Sequence, residues 1–143
     1  MITIEKLKKF KESEDKVEFK KGEGGNIQYD GGVKTKPSDR RRCILGYVTA
    51  LCNELGGYLV IGMTDNYPHE VVGTSQNLNS IGELEANIYR DTDIRTEICE
   101  LFEEDKRVLV IKVPSRPTGK VFKFEACFRE NGRMAQLMKN VSN

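Results

Sequence analysis

Residues 39–65 read DRRRCILGYVTALCNELGGYLVIGMTD, which predicts a helix, a two-glycine break and a buried strand in succession. In the first half, apolar side chains recur at the spacing of one helix face. They are Ile44, Val48, Leu51 and Leu55. Residues 58–61 are continuously apolar, as in a strand covered on both faces. We expect Ser38 to cap the helix start and Gly56 or Gly57 to end it, because serine accepts hydrogen bonds from free amides and glycine tolerates the left-handed closing turn.

Shorter patterns on either side complete a small domain. Residues 108–111 are almost entirely apolar, which indicates a central strand. The other predicted elements are a helix at 2–11, strands at 17–20 and 26–29, a helix from a Ser80–Glu83 capping box to about Asp91, a hairpin of strands 94–102 and 107–113, a strand at 121–129 and a helical turn at 134–137. These patterns predict one α+β domain over residues 1–143, a mixed β-sheet flanked by two or three helices.

The composition is that of an ordinary folded domain. The chain has 143 residues, of which 38% are hydrophobic and 31% are charged. No apolar run approaches the roughly 20 residues that a membrane span needs, and the N-terminus lacks the apolar core of a signal peptide. We therefore expect a cytoplasmic protein with no membrane partner.

The cysteines do not form a recognisable metal motif. Cys43, Cys52, Cys99 and Cys127 include no Cys-x-x-Cys pair, and the single histidine, His69, has no partner at ligand spacing. We expect reduced, partly buried thiols rather than a zinc site.

Charge is unevenly distributed along the chain, although the net charge is only +1. Residues 1–42 hold 12 Lys and Arg against 8 Asp and Glu, residues 43–105 hold 2 against 12, and residues 106–143 hold 9 against 2. If the two basic ends meet in the fold, one face of the protein suits a polyanion. The alternative is a solvated charged surface with no partner.

Five cations precede the central helix: Lys34, Lys36, Arg40, Arg41 and Arg42. Cations at a helix N-terminus oppose the helix dipole, at about 0.3 kcal/mol or more each. A bound phosphate would compensate, because free helix amides and arginines would bind it together. The alternative is that the arginines pair with Asp39 or Asp30.

Several short motifs, taken in order, resemble the Schlafen AlbA_2 family. They are Glu12-Ser13, Glu18-Phe19-Lys20, the segment from Asn53-Glu54-Leu55-Gly56-Gly57 to Ile61-Gly62-Met63-Thr64-Asp65, Val71-Val72-Gly73, and the strand from Val108 into Pro114-Ser115. The resemblance covers roughly residues 12 to 133. It implies an Alba-like α+β fold.

The resemblance implies a nucleic-acid-binding module of a transcription-regulator-like protein, with either DNA or RNA as the partner. Binding alone requires no cofactor. The expected basic rim is Lys20, Lys34, Lys36, Arg40, Arg41, Arg42, Arg116, Lys120, Lys123 and Arg129. Such a rim contacts phosphates and loses affinity with salt. Tyr29, Tyr67 and Phe128 would stack on bases if exposed, although aromatic residues more often lie in a core.

Two alternatives stay open. Schlafen proteins use three acidic residues to cut RNA with a divalent metal, and Glu12, Glu18 and Asp65 match them by position; this implies an endoribonuclease that uses Mg²⁺ or Mn²⁺. Otherwise Glu18 and Asp65 pair with Lys20 or Arg41. The third possibility is a protein-interaction or oligomerisation module, including a homodimer, that uses strand 26–29 or the acidic segment from Glu97 to Glu104.

Overall fold

A computed structural model describes residues 2–11, 16–31, 36–124, 129–130, 133–134 and 138–142, with backbone alone for Pro37, Arg40 and the residues from 121 onward. The helices are α1 Ile4–Lys9, α2 Pro37–Arg40, α3 Ile44–Asn53 and α4 Ile81–Thr92. The strands are β1 Val17–Lys20, β2 Gly57–Ile61, β3 Glu97–Glu103, β4 Lys106–Val113, β5 Lys120–Phe124, β6 Arg129–Glu130, β7 Arg133–Met134 and β8 Met138–Ser142.

Four strands form one mixed sheet in the order β1-β2-β4-β3. The first pair is parallel, and β4 is antiparallel to both of its neighbours. Strand β5 pairs with β8, and β6 with β7, outside this sheet. The predicted α+β fold with a mixed sheet and flanking helices is therefore confirmed, as is the central position of residues 108–111.

Each face of the sheet carries its own apolar core because strand side chains alternate between faces. On one face, Leu59, Ile61 and Ile111 pack with α3 and α4. On the other face, Phe19 and Val60 pack with α1 through a buried leucine, Leu7. Burying each of these large side chains contributes about 2 kcal/mol before entropy is counted. The continuously apolar run in β2 is thus explained, since its residues serve both cores.

Helix α3 begins five residues later than the Ser38 cap predicts, since its cap is Cys43. The chain turns after α2, and the thiol of Cys43 caps α3 by accepting a hydrogen bond from the Gly46 amide at 3.3 Å. The reason is a close approach: the carbonyl oxygen of Arg41 lies 2.0 Å from where a Cβ on Gly46 would be. Glycine at this position lets the turn fold back onto the helix.

The end of α3 also differs from the prediction. Leu55, expected on the apolar stripe, lies beyond the helix in a left-handed conformation with φ 75° and is 58% exposed. The Gly56 amide donates to the Leu51 carbonyl at 2.8 Å, and the Leu55 amide donates to the Cys52 carbonyl at 3.2 Å. This pair of hydrogen bonds is a Schellman closure, in which leucine takes the position that usually favours glycine.

Three further predictions are corrected. Residues 26–29 are not a strand; the only bridge there joins Asn26 to Glu23 across a tight turn, within the residues described. Ser80 precedes α4 but makes no side-chain capping bond. Met134 lies in β7 rather than in a helical turn, and the rest of that predicted turn, 135–137, is outside the described residues. Of the predicted strand 121–129, residues 125–128 are also outside them.

Candidate nucleic-acid interface

Lys20 lies at the centre of the candidate site, near the end of edge strand β1. Alternation buries its neighbour Phe19 in the α1 core and directs Lys20 and Glu18 to the α3 face of the sheet. The Lys20 Nζ lies 3.6 Å from a Glu18 carboxylate oxygen and 4.8 Å from the centre of the Tyr47 ring. The β-strand thus presents a cation between a carboxylate and an aromatic ring of α3.

The electrostatic surroundings keep Lys20 charged. Burial acts to lower the pKa of its ammonium group, but interactions with Tyr47, Glu18 and Asp65 outweigh burial and raise the pKa above its ordinary value. Asp65 follows β2 in the chain, whereas Glu18 lies in β1. The fold therefore brings two of the three predicted acidic residues to the same lysine.

Two clefts adjoin at this lysine, and both are lined by Lys20, Arg42 and Tyr47. The first cleft, of about 660 Å³, runs between β1 and the exposed side of α3, from Arg41 to Asn53. The second cleft, of about 540 Å³, extends the other way to Asp65 and the turn at 22–28. We call this pair of clefts the Lys20 groove.

Arg41 and Arg42 are exposed at the groove, near the start of α3, as the basic-rim prediction requires. The expectation of free helix amides beside them is wrong. The amides of Ile44 and Leu45 donate to the carbonyls of Gln28 and Tyr29 at 2.9 and 3.1 Å, and Cys43 caps the next amide. A phosphate in the groove would therefore meet side-chain cations rather than the α3 amides.

Arg116 and Lys120 lie at the other end of α3, about 15 Å from its start by helix geometry. The Arg116 guanidinium donates to the carbonyls of Asn53 and Lys120 at 3.2 and 3.1 Å, so it closes the α3 terminus. Lys120 forms an ion pair of 3.7 Å with Asp93. The basic segments do approach one helix, but at opposite ends.

The remaining members of the predicted rim are only partly described. Lys36 is exposed just before α2. Arg40, Lys123 and Arg129 are placed by their backbone alone, in α2, β5 and β6. Lys34 and the acidic residue Glu12 lie outside the described residues.

The described residues do not make a metal centre by themselves. Over 2–11, 16–31 and the other described ranges, no group of three His, Cys, Asp or Glu residues could hold a metal ion. Glu18 and Asp65 supply two carboxylates that line the groove, and the ammonium group of Lys20 already pairs with Glu18 at 3.6 Å. Among the described residues, Cys43, Cys52 and Cys99 form no disulfide with one another, and burial raises the pKa of Cys52 to about 11.

The aromatic residue at the groove is one that sequence reasoning missed. Tyr29, a predicted stacking residue, is half-buried and its hydroxyl donates to Asp91 at 2.5 Å; Tyr67 is exposed, and Phe128 is outside the described residues. Tyr47 instead lines both clefts. Its position one residue before Val48, off the apolar stripe of α3, was the available signal.

Two glutamates of the acidic segment, Glu100 and Glu103, are engaged within the domain. Glu100 accepts a hydrogen bond from the buried Arg107, and Glu103 pairs with Lys8. The amide of Ile98, in edge strand β3, donates to Glu85 of α4 at 2.9 Å. These contacts tie β3 to its neighbours.

Comparison with known proteins identifies the family. The sequence model described as Schlafen, AlbA_2, matches residues 10–138, nearly the whole chain. The chain belongs to the Schlafen AlbA_2 family. The resemblance noted in its motifs is therefore confirmed, whereas a single domain over residues 1–143 stays a prediction. No curated protein matches the sequence.

Two solved structures are similar to this chain, and the first of them shares its fold. The DIP2311 protein from Corynebacterium diphtheriae is 20% identical, with a TM-score of 0.52 over 90% of this chain and 26% of its own. The N-terminal domain of a RecG-related protein from Nitrosomonas europaea is 19% identical, with a TM-score of 0.47 over 80% of this chain and 74% of its own. This chain thus spans about a quarter of the DIP2311 protein. Among the described residues, no helix has the length and apolar character for crossing a bilayer.

Proposed function

We propose that this Schlafen AlbA_2 chain is a nucleic-acid-binding module that holds phosphates in the Lys20 groove. The observation that supports the proposal is that Lys20, Arg42 and Tyr47 line both clefts. Two cations and an aromatic ring therefore face one groove, which is the combination that binds backbone phosphates and stacks bases. We further propose, on the family resemblance, that the module serves a transcription-regulator-like protein in the cytoplasm.

The arginines are the groups best placed for a first contact. Arg41 and Arg42 are exposed, and both line the first cleft. Guanidinium groups bind phosphate through paired hydrogen bonds, so each arginine contributes to affinity for any sequence. Binding should weaken steeply with salt, because phosphate contacts release counterions.

The test is fluorescence anisotropy with labelled single-stranded RNA, a tRNA-like RNA and duplex DNA at low and moderate salt. We expect Arg41→Ala/Arg42→Ala to weaken binding roughly tenfold or more and to reduce the single-strand salt slope by about 1.4. The matched control is Lys106→Ala/Lys112→Ala, which removes two exposed cations from β4. Equal losses in both variants, or no binding by the wild type at low salt, would overturn the proposal.

The second candidate function is a divalent-metal-dependent endoribonuclease. The observation that favours it is that Glu18 and Asp65 both line the Lys20 groove. Because the described carboxylates do not complete a metal site, Glu12 would have to take part, as the family resemblance implies. A cleavage assay with Mn²⁺ tests this candidate: activity that persists in Glu18→Gln and Asp65→Asn excludes it. Size-exclusion chromatography with light scattering tests the homodimer.

A further inference from the structure

His69 is a buried polar side chain that the proposed function does not use. It is 2% exposed, and its ring stacks on Phe19 with centroids 3.6 Å apart and an interplanar angle of 12°. Its Nδ1 lies 2.8 Å from the Thr64 carbonyl oxygen and its Nε2 lies 2.9 Å from the Phe10 carbonyl oxygen. One imidazole therefore joins three segments that are distant in sequence.

Both hydrogen-bond partners of the ring are acceptors. A neutral imidazole has one N–H and donates to one carbonyl, whereas an imidazolium has two and donates to both. In either form, an apolar side chain at position 69 would remove the ring's N–H donor from these part-buried carbonyls. Loss of a hydrogen-bond partner at such a site destabilises the fold. The contact between these three segments therefore depends on the hydrogen-bonding groups of the side chain at position 69 and not only on its volume.

Two of the three contacted segments, β1 and the turn after β2, border the Lys20 groove. Phe19 lies between Glu18 and Lys20 in β1, and Thr64 immediately precedes Asp65. The turn that carries Asp65 is closed on itself, since the Thr64 amide donates to the Glu70 carbonyl at 2.9 Å and the Glu70 amide to the Thr64 hydroxyl at 2.9 Å. His69 thus holds a compact turn against the back of β1.

We infer that His69 is a positioning residue for the Lys20 groove. From the opposite face of the sheet it fixes β1 against the turn that carries Asp65. The position of this turn sets how closely the Asp65 carboxylate approaches Lys20, and hence how the ammonium group is presented to a phosphate. The effect on affinity rests on the proposed function; the effect on geometry does not.

Three variants separate these effects. His69→Phe keeps an aromatic ring on Phe19 but removes every ring N–H donor, whereas His69→Gln restores an amide donor. Leu84→Ala is the control, because it removes a buried side chain from the core on the other face of the sheet. For each, we would measure the melting temperature, the NMR amide shifts of Glu18, Lys20 and Asp65, and anisotropy with labelled single-stranded RNA.

We expect His69→Phe to shift those three amides and to weaken RNA binding by roughly two- to thirtyfold, with partial recovery in His69→Gln. Leu84→Ala should lower the melting temperature while leaving both readouts near wild type. Unchanged amides and affinity in His69→Phe would overturn the inference, as would an equal loss of affinity in Leu84→Ala. If His69→Phe does not fold, His69→Gln still tests the inference, because glutamine supplies a donor but loses the ring stacked on Phe19 and should shift those amides in part. Wild-type amide shifts together with wild-type affinity in His69→Gln would then overturn it.

A wild-type protein that binds no nucleic acid would refute the proposed function alone. The amide shifts would then decide whether His69 positions the groove, since they need no ligand. The two failures are therefore distinguishable.

Discussion

Replacing Leu55 by glycine should stabilise the protein, because leucine occupies the left-handed position that closes α3. A left-handed conformation costs an L-residue about 1–2 kcal/mol, whereas glycine adopts it freely. Glycine also gives the unfolded chain more conformational entropy, and this cancels about 0.4–1 kcal/mol of that stabilisation. Leu55 is 58% exposed, so little apolar burial is lost. The free energy of unfolding should therefore rise by about 0.5–1 kcal/mol.

Urea denaturation followed by circular dichroism measures this gain, and a thermal melt should rise by about 2–3 °C. Leu55→Ala is the matched control, since it removes the same exposed side chain but retains a Cβ. We expect the Leu55→Ala variant to be no more stable than the wild-type protein. If Leu55→Gly is as stable as Leu55→Ala or less so, the left-handed closure does not limit stability at this helix end.

Two further predictions concern α3 and α4. Gly46→Ala should destabilise the domain by about 1–3 kcal/mol and lower its urea midpoint, because a Cβ would lie 2.0 Å from the Arg41 carbonyl; Gly82→Ala, at an open helical site, is the control and should be neutral or stabilising. Burial acts to raise the pKa of Asp91, but hydrogen bonds from Arg90 and Tyr29 outweigh it and lower the pKa. The contribution of this carboxylate to stability is therefore present at neutral pH and is lost as pH falls below the ordinary value of 3.8 towards the native pKa. In urea titrations, the stability difference between wild type and Asp91→Asn should be constant near neutrality and should narrow in acid; a difference independent of pH would contradict the assignment.

For many residues of the candidate site, the sequence predicted the secondary-structure element in which each one lies. The alternation of Val17, Glu18, Phe19 and Lys20 identified a strand with a polar face, and the arginine run marked the start of the central helix. The tertiary contacts of these residues could not be predicted. Tyr47 reaches Lys20 only because α3 crosses β1. Arg116 caps the far end of α3 because the chain returns there after β4. Such contacts join residues far apart in sequence.

Sequence alone determined strands β1, β2 and β4 and most of the buried face of α3, because apolar spacing reports directly which side chains must leave water. Tertiary structure decided where α3 begins, which of its amides are occupied and what His69 contacts. The physical reason is that hydrogen bonds at helix ends and around buried polar groups are satisfied by whichever acceptors packing brings near. For α3 these acceptors are the carbonyls of Gln28 and Tyr29, and for His69 they include that of Phe10, 59 positions away.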